Sequence, residues 1–163
     1  MMKKALVLFL VMALALPALS LGISAGSITL VVDNVVVDTD VPPTIVNDRT
    51  LVPIRVLAEL TGCRVQWFGE NESIIIYTPV EDDPYLVMTI GDTDVTVNWY
   101  NYDTGDFGGY VTSIDVPPMI INGRTMVPVR FVCEMLDYEV VWIEEEQTVY
   151  MYTPWYEYEE PKG

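Results

Sequence analysis

Asn101, Asp103 and Asp106 gather around Gly105 in the segment from Asn98 to Ser113. Oxygen-bearing side chains at alternate positions beside a glycine are what a calcium loop uses. The order departs from an EF-type loop, where the glycine follows the third ligand and a distal glutamate closes the site. Calcium is thus the one metal for which the chain offers a candidate site, with a solvated turn as the competing reading. The same segment carries Trp99, Tyr100, Tyr102, Phe107 and Tyr110. Aromatic side chains on a loop supply contact area at low entropic cost, so these five are the candidate contacts for a glycan or a protein partner.

Other chemistries find little support. The chain contains no His, which removes Ser-His-Asp catalysis and His-ligated metal centres. Cys63 and Cys133 stand alone and make no zinc site. Carboxylates are plentiful, but hydrolysis of a glycoside needs two of them at a fixed separation in a cleft, and no spacing marks such a pair. No enzyme activity and no cofactor are expected. The formal net charge of −16 repels phosphate backbones and anionic lipid, which argues against nucleic acid and the membrane surface as partners.

The scaffold behind these residues is duplicated. Asp40 to Pro79 and Asp115 to Pro154 align without a gap at an offset of 75, sharing Val-Pro-Pro, Asn-x-Arg-Thr, Val-Pro-x-Arg, a Glu, a Trp and Tyr-Thr-Pro. The repeated arginines Arg49/Arg124 and Arg55/Arg130 could clamp an anion. Their recurrence beside a turn and in a helix favours a structural role instead, holding neighbouring backbone carbonyls and acids. Trp67 and Trp142 read as strand residues of the core. Arg55 and Glu59, like Arg130 and Glu134, are four apart and can meet on a helix surface.

Within each copy the elements follow from turn and period signals. Asn47-Asp48 and Asn122-Gly123 join short apolar strands as hairpin turns. Pro53 and Pro128 suit the first turn of a helix. Ile54, Leu57, Ala58 and Thr61, and then Val129, Val132, Cys133 and Leu136, fall on one helical face. Gly62 ends the first helix and Asp137 takes its place in the second. Upstream, Ser27 to Asp40 carries two β-branched runs, and Tyr85 to Asn98 is its expected counterpart, leaving Asn98 to Ser113 as an irregular insertion. The predicted fold class is α+β, with two ββ-β-hairpin-α-ββ units, each packing one short helix on a twisted antiparallel sheet.

Residues 1–22 read as a secretory signal: Lys3 and Lys4, an apolar run, Pro17, then small residues. The predicted organisation is signal 1–22, unit one 23–80, unit two 81–154 with the loop 98–113, and an acidic aromatic tail 155–163. Export permits a disulfide between Cys63 and Cys133, although both also suit buried thiols. Once the signal is cleaved, no membrane attachment is expected. The β-rich segment after Ile23 offers an edge for self-association.

The run from Asn122 through Arg124, Val127, Pro128 and Arg130 to Leu136, followed by Val140-Val141-Trp142, resembles the copper amine oxidase N-terminal-like domain, or stalk domain, of secreted bacterial proteins. Asp115-Val-Pro-Pro follows the same pattern, and Asp48 departs from it where the family prefers Gly. The resemblance implies a non-catalytic binding or spacer module, secreted or at the bacterial cell surface, with an unknown protein or a cell-wall glycan as partner. It implies no copper site.

Overall fold

The structure is a computed structural model that describes residues 27–79 and 84–154. The signal segment 1–22 and the tail 155–163 lie outside the described residues. The strands are β1 (Thr29–Val32), β2 (Val35–Val37), β3 (Thr44–Val46) and β4 (Arg49–Pro53), followed by helix α1 (Ile54–Thr61). Then come β5 (Arg64–Phe68), β6 (Ser73–Tyr77), β7 (Pro84–Thr89), β8 (Asp94–Asn101) and β9 (Asp106–Ser113). The chain continues through β10 (Met119–Ile121), β11 (Arg124–Pro128), α2 (Val129–Met135), β12 (Glu139–Ile143) and β13 (Thr148–Tyr152). Many strands and two short helices make the α+β class.

Local chemistry explains the turns. Asp33-Asn34, Asn47-Asp48 and Asn122-Gly123 all have both residues at positive φ, the conformation of a two-residue hairpin turn that matches strand twist. Gly62 closes α1 at φ 69, and Asp137 adopts φ 63 after α2, donating its N–H to the Glu134 carbonyl. Pro53 and Pro128 do not open the helices. Each ends its strand in an extended conformation, with φ near −60, and the helix starts at the next residue. Arg55 forms no ion pair with Glu59, nor Arg130 with Glu134, among the described residues.

Three sheets result, ordered β12-β13-β1-β2, β10-β11-β4-β3 and β5-β6-β7-β8-β9. The middle one joins the two copies. In it β4 and β11 run antiparallel with Val52 opposite Val127, which are equivalent positions at the repeat offset of 75. Leu51, Val52, Met126 and Val127 are all 0 % exposed, because this seam is covered on both faces. Val52 and Val127 point into the main core with Leu30, Leu57, Ile74, Leu86, Val132 and Met151. Leu51 and Met126 point into a second small core with Val41 and Val116, again equivalent pairs.

The outer sheets correct two expectations. Strand β1 lies beside β13 in parallel, with Leu30 opposite Val149, so the first strands of the chain complete the sheet of the second copy. The units are therefore not each built on their own antiparallel sheet. In the third sheet β6 meets β7, β7 meets β8, and Val95 to Val97 of β8 pair with Thr112 to Tyr110 of β9. Leu30 to Val32 pair in the same way with Val37 to Val35, and Val35–Val37 map onto 110–112 at the offset of 75. The counterpart of the first hairpin is thus β8–β9, not Tyr85 to Asn98. Strand β7 is the additional element, inserted between β6 and β8, which is why β13 and β1 touch in parallel while β6 and β7 are antiparallel.

Asn98 to Ser113 is accordingly no irregular loop. Residues up to Asn101 extend β8, Asp106–Ser113 form β9, and only 102–105 turn. Glycine and aspartate are depleted in strands, and their density here disguised a long hairpin. Trp67 also departs from expectation at 45 % exposed, since it lies near the end of the edge strand β5. Trp142 packs against the core, its Nε1 donating to Glu144 Oε2 at 2.6 Å. Gly69 stands where Glu144 would correspond, so Trp67 lacks that anchor. Both cysteines are free and buried, and Cys133 Sγ lies 3.4 Å from Met151 Sδ. Burial pushes both thiols up.

Leu30 and Leu86 are nearly inaccessible, so Leu30→Ala and Leu86→Ala should each cost about 2–5 kcal/mol in urea unfolding. A small effect for Leu30→Ala would mean that β1 does not complete the β12–β13 sheet. Asp137→Gly should raise stability by about 0.5–1 kcal/mol by relieving the left-handed backbone, measurable as a higher urea midpoint at unchanged slope. Thiol reagents should titrate neither cysteine until the protein unfolds.

Candidate functional site: the β8–β9 hairpin and the flanking clefts

Where β1–β2 has the two-residue turn Asp33-Asn34 beyond its Val32–Val35 pair, the second hairpin has Asn98 to Gly109 beyond the equivalent Val97–Tyr110 pair. The extra length projects the aromatics. Trp99 is 46 % exposed, Tyr102 64 %, Phe107 59 % and Tyr110 51 %, while Tyr100 is half-buried. Strand alternation and register assign them to faces: Trp99 and Tyr110 share the face of the buried Val95 and Val97, and Tyr100 faces Phe107 on the other side. Tyr102 meets Tyr100 edge-on at 4.8 Å between centroids.

Gly108 has a specific job. A Cβ there would lie 2.4 Å from Trp99 Cζ2, so the indole rests directly on the glycine backbone opposite it. An aromatic ring laid across a cross-strand glycine restores the packing that the missing side chain gives up. The face of Trp99 is thereby held flat rather than left free to rotate.

The turn engages two of the three side chains proposed for calcium, Asn101 and Asp106. Asn101 Oδ1 accepts the backbone N–H groups of Asp103 and Thr104 at 3.0 and 3.2 Å. Thr104 Oγ1 donates to Asp106 Oδ2 at 2.8 Å, and the Gly105 N–H donates to the Asn101 carbonyl at 2.7 Å. Asn101 therefore caps the turn, and among the described residues no three His, Cys, Asp or Glu side chains converge on a point.

The arginines assemble elsewhere, in a reciprocal arrangement. Arg124 Nε donates to Asp40 Oδ2 at 2.6 Å, and Arg49 pairs with Asp115. Each arginine of one copy thus holds the acid of the other, at sequence separations of 84 and 66, rather than a neighbouring acid. Each also donates to the carbonyl of the preceding turn residue, Asp48 or Gly123. Beside each pair is a cleft. The larger, of about 710 Å³, contains Arg49, Asp115, Arg130, Phe131, Glu134 and Trp142. The smaller, of about 230 Å³, contains the equivalent Arg124, Asp40, Arg55, Val56 and Glu59. Both clefts place arginines beside carboxylates, Arg49 and Arg130 with Asp115 and Glu134 in one, Arg55 and Arg124 with Asp40 and Glu59 in the other.

The Arg124 guanidinium holds the Asp40 carboxyl below the usual carboxylate range, with partial burial opposing it and the Val41 N–H and Arg55 adding to it. The profile of the family described as Copper amine oxidase N-terminal domain matches residues 31–151. The chain belongs to that family. The span runs from β1 to β13 and so includes both copies and the extra strand β7. No curated protein and no solved structure matches the chain. The N-terminal domain of copper amine oxidases is a non-catalytic domain. The sequence holds no imidazole, a ligand that suits copper, and both cysteines are buried.

Two measurements follow from this geometry. The depressed Asp40 pKa means that its pairing contributes stability above the unfolded carboxylate pKa of ~4 and loses it as pH falls through the lower folded value. The urea midpoint of the native protein should therefore fall more steeply as pH drops below about 4 than that of Asp40→Asn. Parallel curves would remove the pair from the stability account. Gly108→Ala should displace the indole, abolishing the upfield ring-current shift of the residue 108 α-proton and lowering stability by about 1 kcal/mol.

Proposed function

We propose that this chain is an exported, non-catalytic binding module of the bacterial cell surface, and that the β8–β9 hairpin is its contact element. The observation that carries this reading is the concentration of Trp99, Tyr102, Phe107 and Tyr110, all exposed, on a hairpin lengthened beyond its counterpart. A folded domain leaves several large aromatics in water together at a site of contact more often than by accident. The duplicated stretches supply a rigid base, and the lengthened hairpin carries recognition, the usual division between scaffold and appended segment. The secretory character of residues 1–22 and the family's non-catalytic domain support the rest of the reading.

The partner is a protein or a cell-wall glycan. A variant with residues 98–109 replaced by Asp-Gly would rebuild the short turn of β1–β2 and keep the scaffold. In pull-downs from the secreted and cell-wall fractions, the native protein should retain a partner and this variant should lose it. Equal retention by both, with both folded, would move the contact off the hairpin. No retained partner in either would leave a spacer.

A further inference from the structure

Strand β9 is an open edge: among the described residues it pairs with β8 alone. It is eight residues long, whereas the other sheet edges β2, β3 and β10 have three and β5 and β12 have five. Natural proteins blunt such edges with short strands, Lys, Pro, bulges or inward charges. The run Asp106-Phe-Gly-Gly-Tyr-Val-Thr-Ser113 has no Lys and no Pro, and the one register shift in its sheet falls at Ile76/Tyr77, away from the edge. Tyr110 at 51 % and Val111 at 63 % exposed point to opposite faces, so an added strand would find apolar neighbours above and below.

Charge selects the occupant. From Val65 to Gly123 the chain has no Lys or Arg, while Asp94 sits opposite Ser113 at one end of β9 and Asp103 and Asp106 stand at the other. A second copy of this chain would bring the same acids against them, which disfavours self-pairing. We propose that β9 accepts, by strand addition, an extended segment of another polypeptide in which Lys or Arg alternates with β-branched residues. Backbone hydrogen bonds along the edge give affinity, and the flanking acids select basic chains. The inference rests on the binding-module reading and names the partner class and the contact geometry.

The probe is a synthetic peptide of about nine residues alternating Lys with Val, beside the same peptide N-methylated along the edge that would face β9, at ~0.15 M salt. Binding of the first should slow amide exchange within residues 106–113 at least tenfold, and the N-methylated peptide should bind at least tenfold more weakly. Val111→Lys, checked for an unchanged thermal midpoint, should weaken the first peptide by a similar factor. Equal affinity for both peptides would show charge attraction alone and overturn the proposal. So would protection at β2 or β5 instead of β9, a dimer of the protein without peptide, or a chito-oligosaccharide that perturbs Trp99 and Tyr110 while neither peptide binds. If Val111→Lys leaves partner retention intact while the shortened hairpin abolishes it, strand addition fails and the binding-module reading stands. If the shortened hairpin also retains the partner, that reading fails as well.

Discussion

The pairing of β4 with β11 is the constraint on which the rest of the molecule depends. Equivalent valines, Val52 and Val127, face each other across it, so the copies meet about a local two-fold relation. An antiparallel pair permits this arrangement without distortion, because its hydrogen-bond pattern is itself two-fold symmetric. Alternation then sends Leu51 and Met126 to one core and Val52 and Val127 to the other. The reciprocal Asp40–Arg124 and Asp115–Arg49 contacts follow from the same symmetry. They are exposed, so each adds only modestly to the strength of the seam.

Each copy alone would be too small to bury a sufficient core. The structure meets this limit by sharing strands: β1 pairs with β13 and carries β2 beyond it, and β7, β8 and β9 extend the sheet begun by β5 and β6. The paired sheets enclose one principal core that draws on both copies. Hydrogen bonds reinforce the exchange at the sheet ends. The Asp33 N–H donates to the Met151 carbonyl at 3.0 Å, and Asp33 Oδ1 accepts the Thr153 N–H at 2.9 Å. The two hairpins differ: β1–β2 is short, whereas β8–β9 carries extra length, aromatics and an open edge.

Much of the local structure was legible in the sequence. Asn122-Gly123 announced its turn, Gly62 and Asp137 their helix ends, and the periodicity of Ile54, Leu57 and Thr61 the buried helix face, because short-range sterics and amphipathicity fix these features. What could not be read was which strand lies beside which. A period of two says that Leu30 and Val32 are buried, but not that they lie beside Val149 and Met151 of β13, from the far end of the second copy. The same blindness hid the place of β7, which reads as a strand of the repeated hairpin but stands between β6 and β8 as an additional one. The candidate aromatics were identifiable by type, yet their arrangement on two faces of a hairpin depends on the pairing of β8 with β9, which the sequence does not reveal. Trp67 misled because its repeat partner Trp142 is anchored by Glu144, a residue that Gly69 does not replace.

The central claim is that the two copies form one interlocked fold, and native-state hydrogen exchange across a urea series tests it most directly. The account predicts that the slowest amides of β1, β4, β6, β11 and β13 converge on a single opening free energy equal to that of global unfolding. Two separate opening free energies, one for residues 44–77 and another for 119–152, would contradict it.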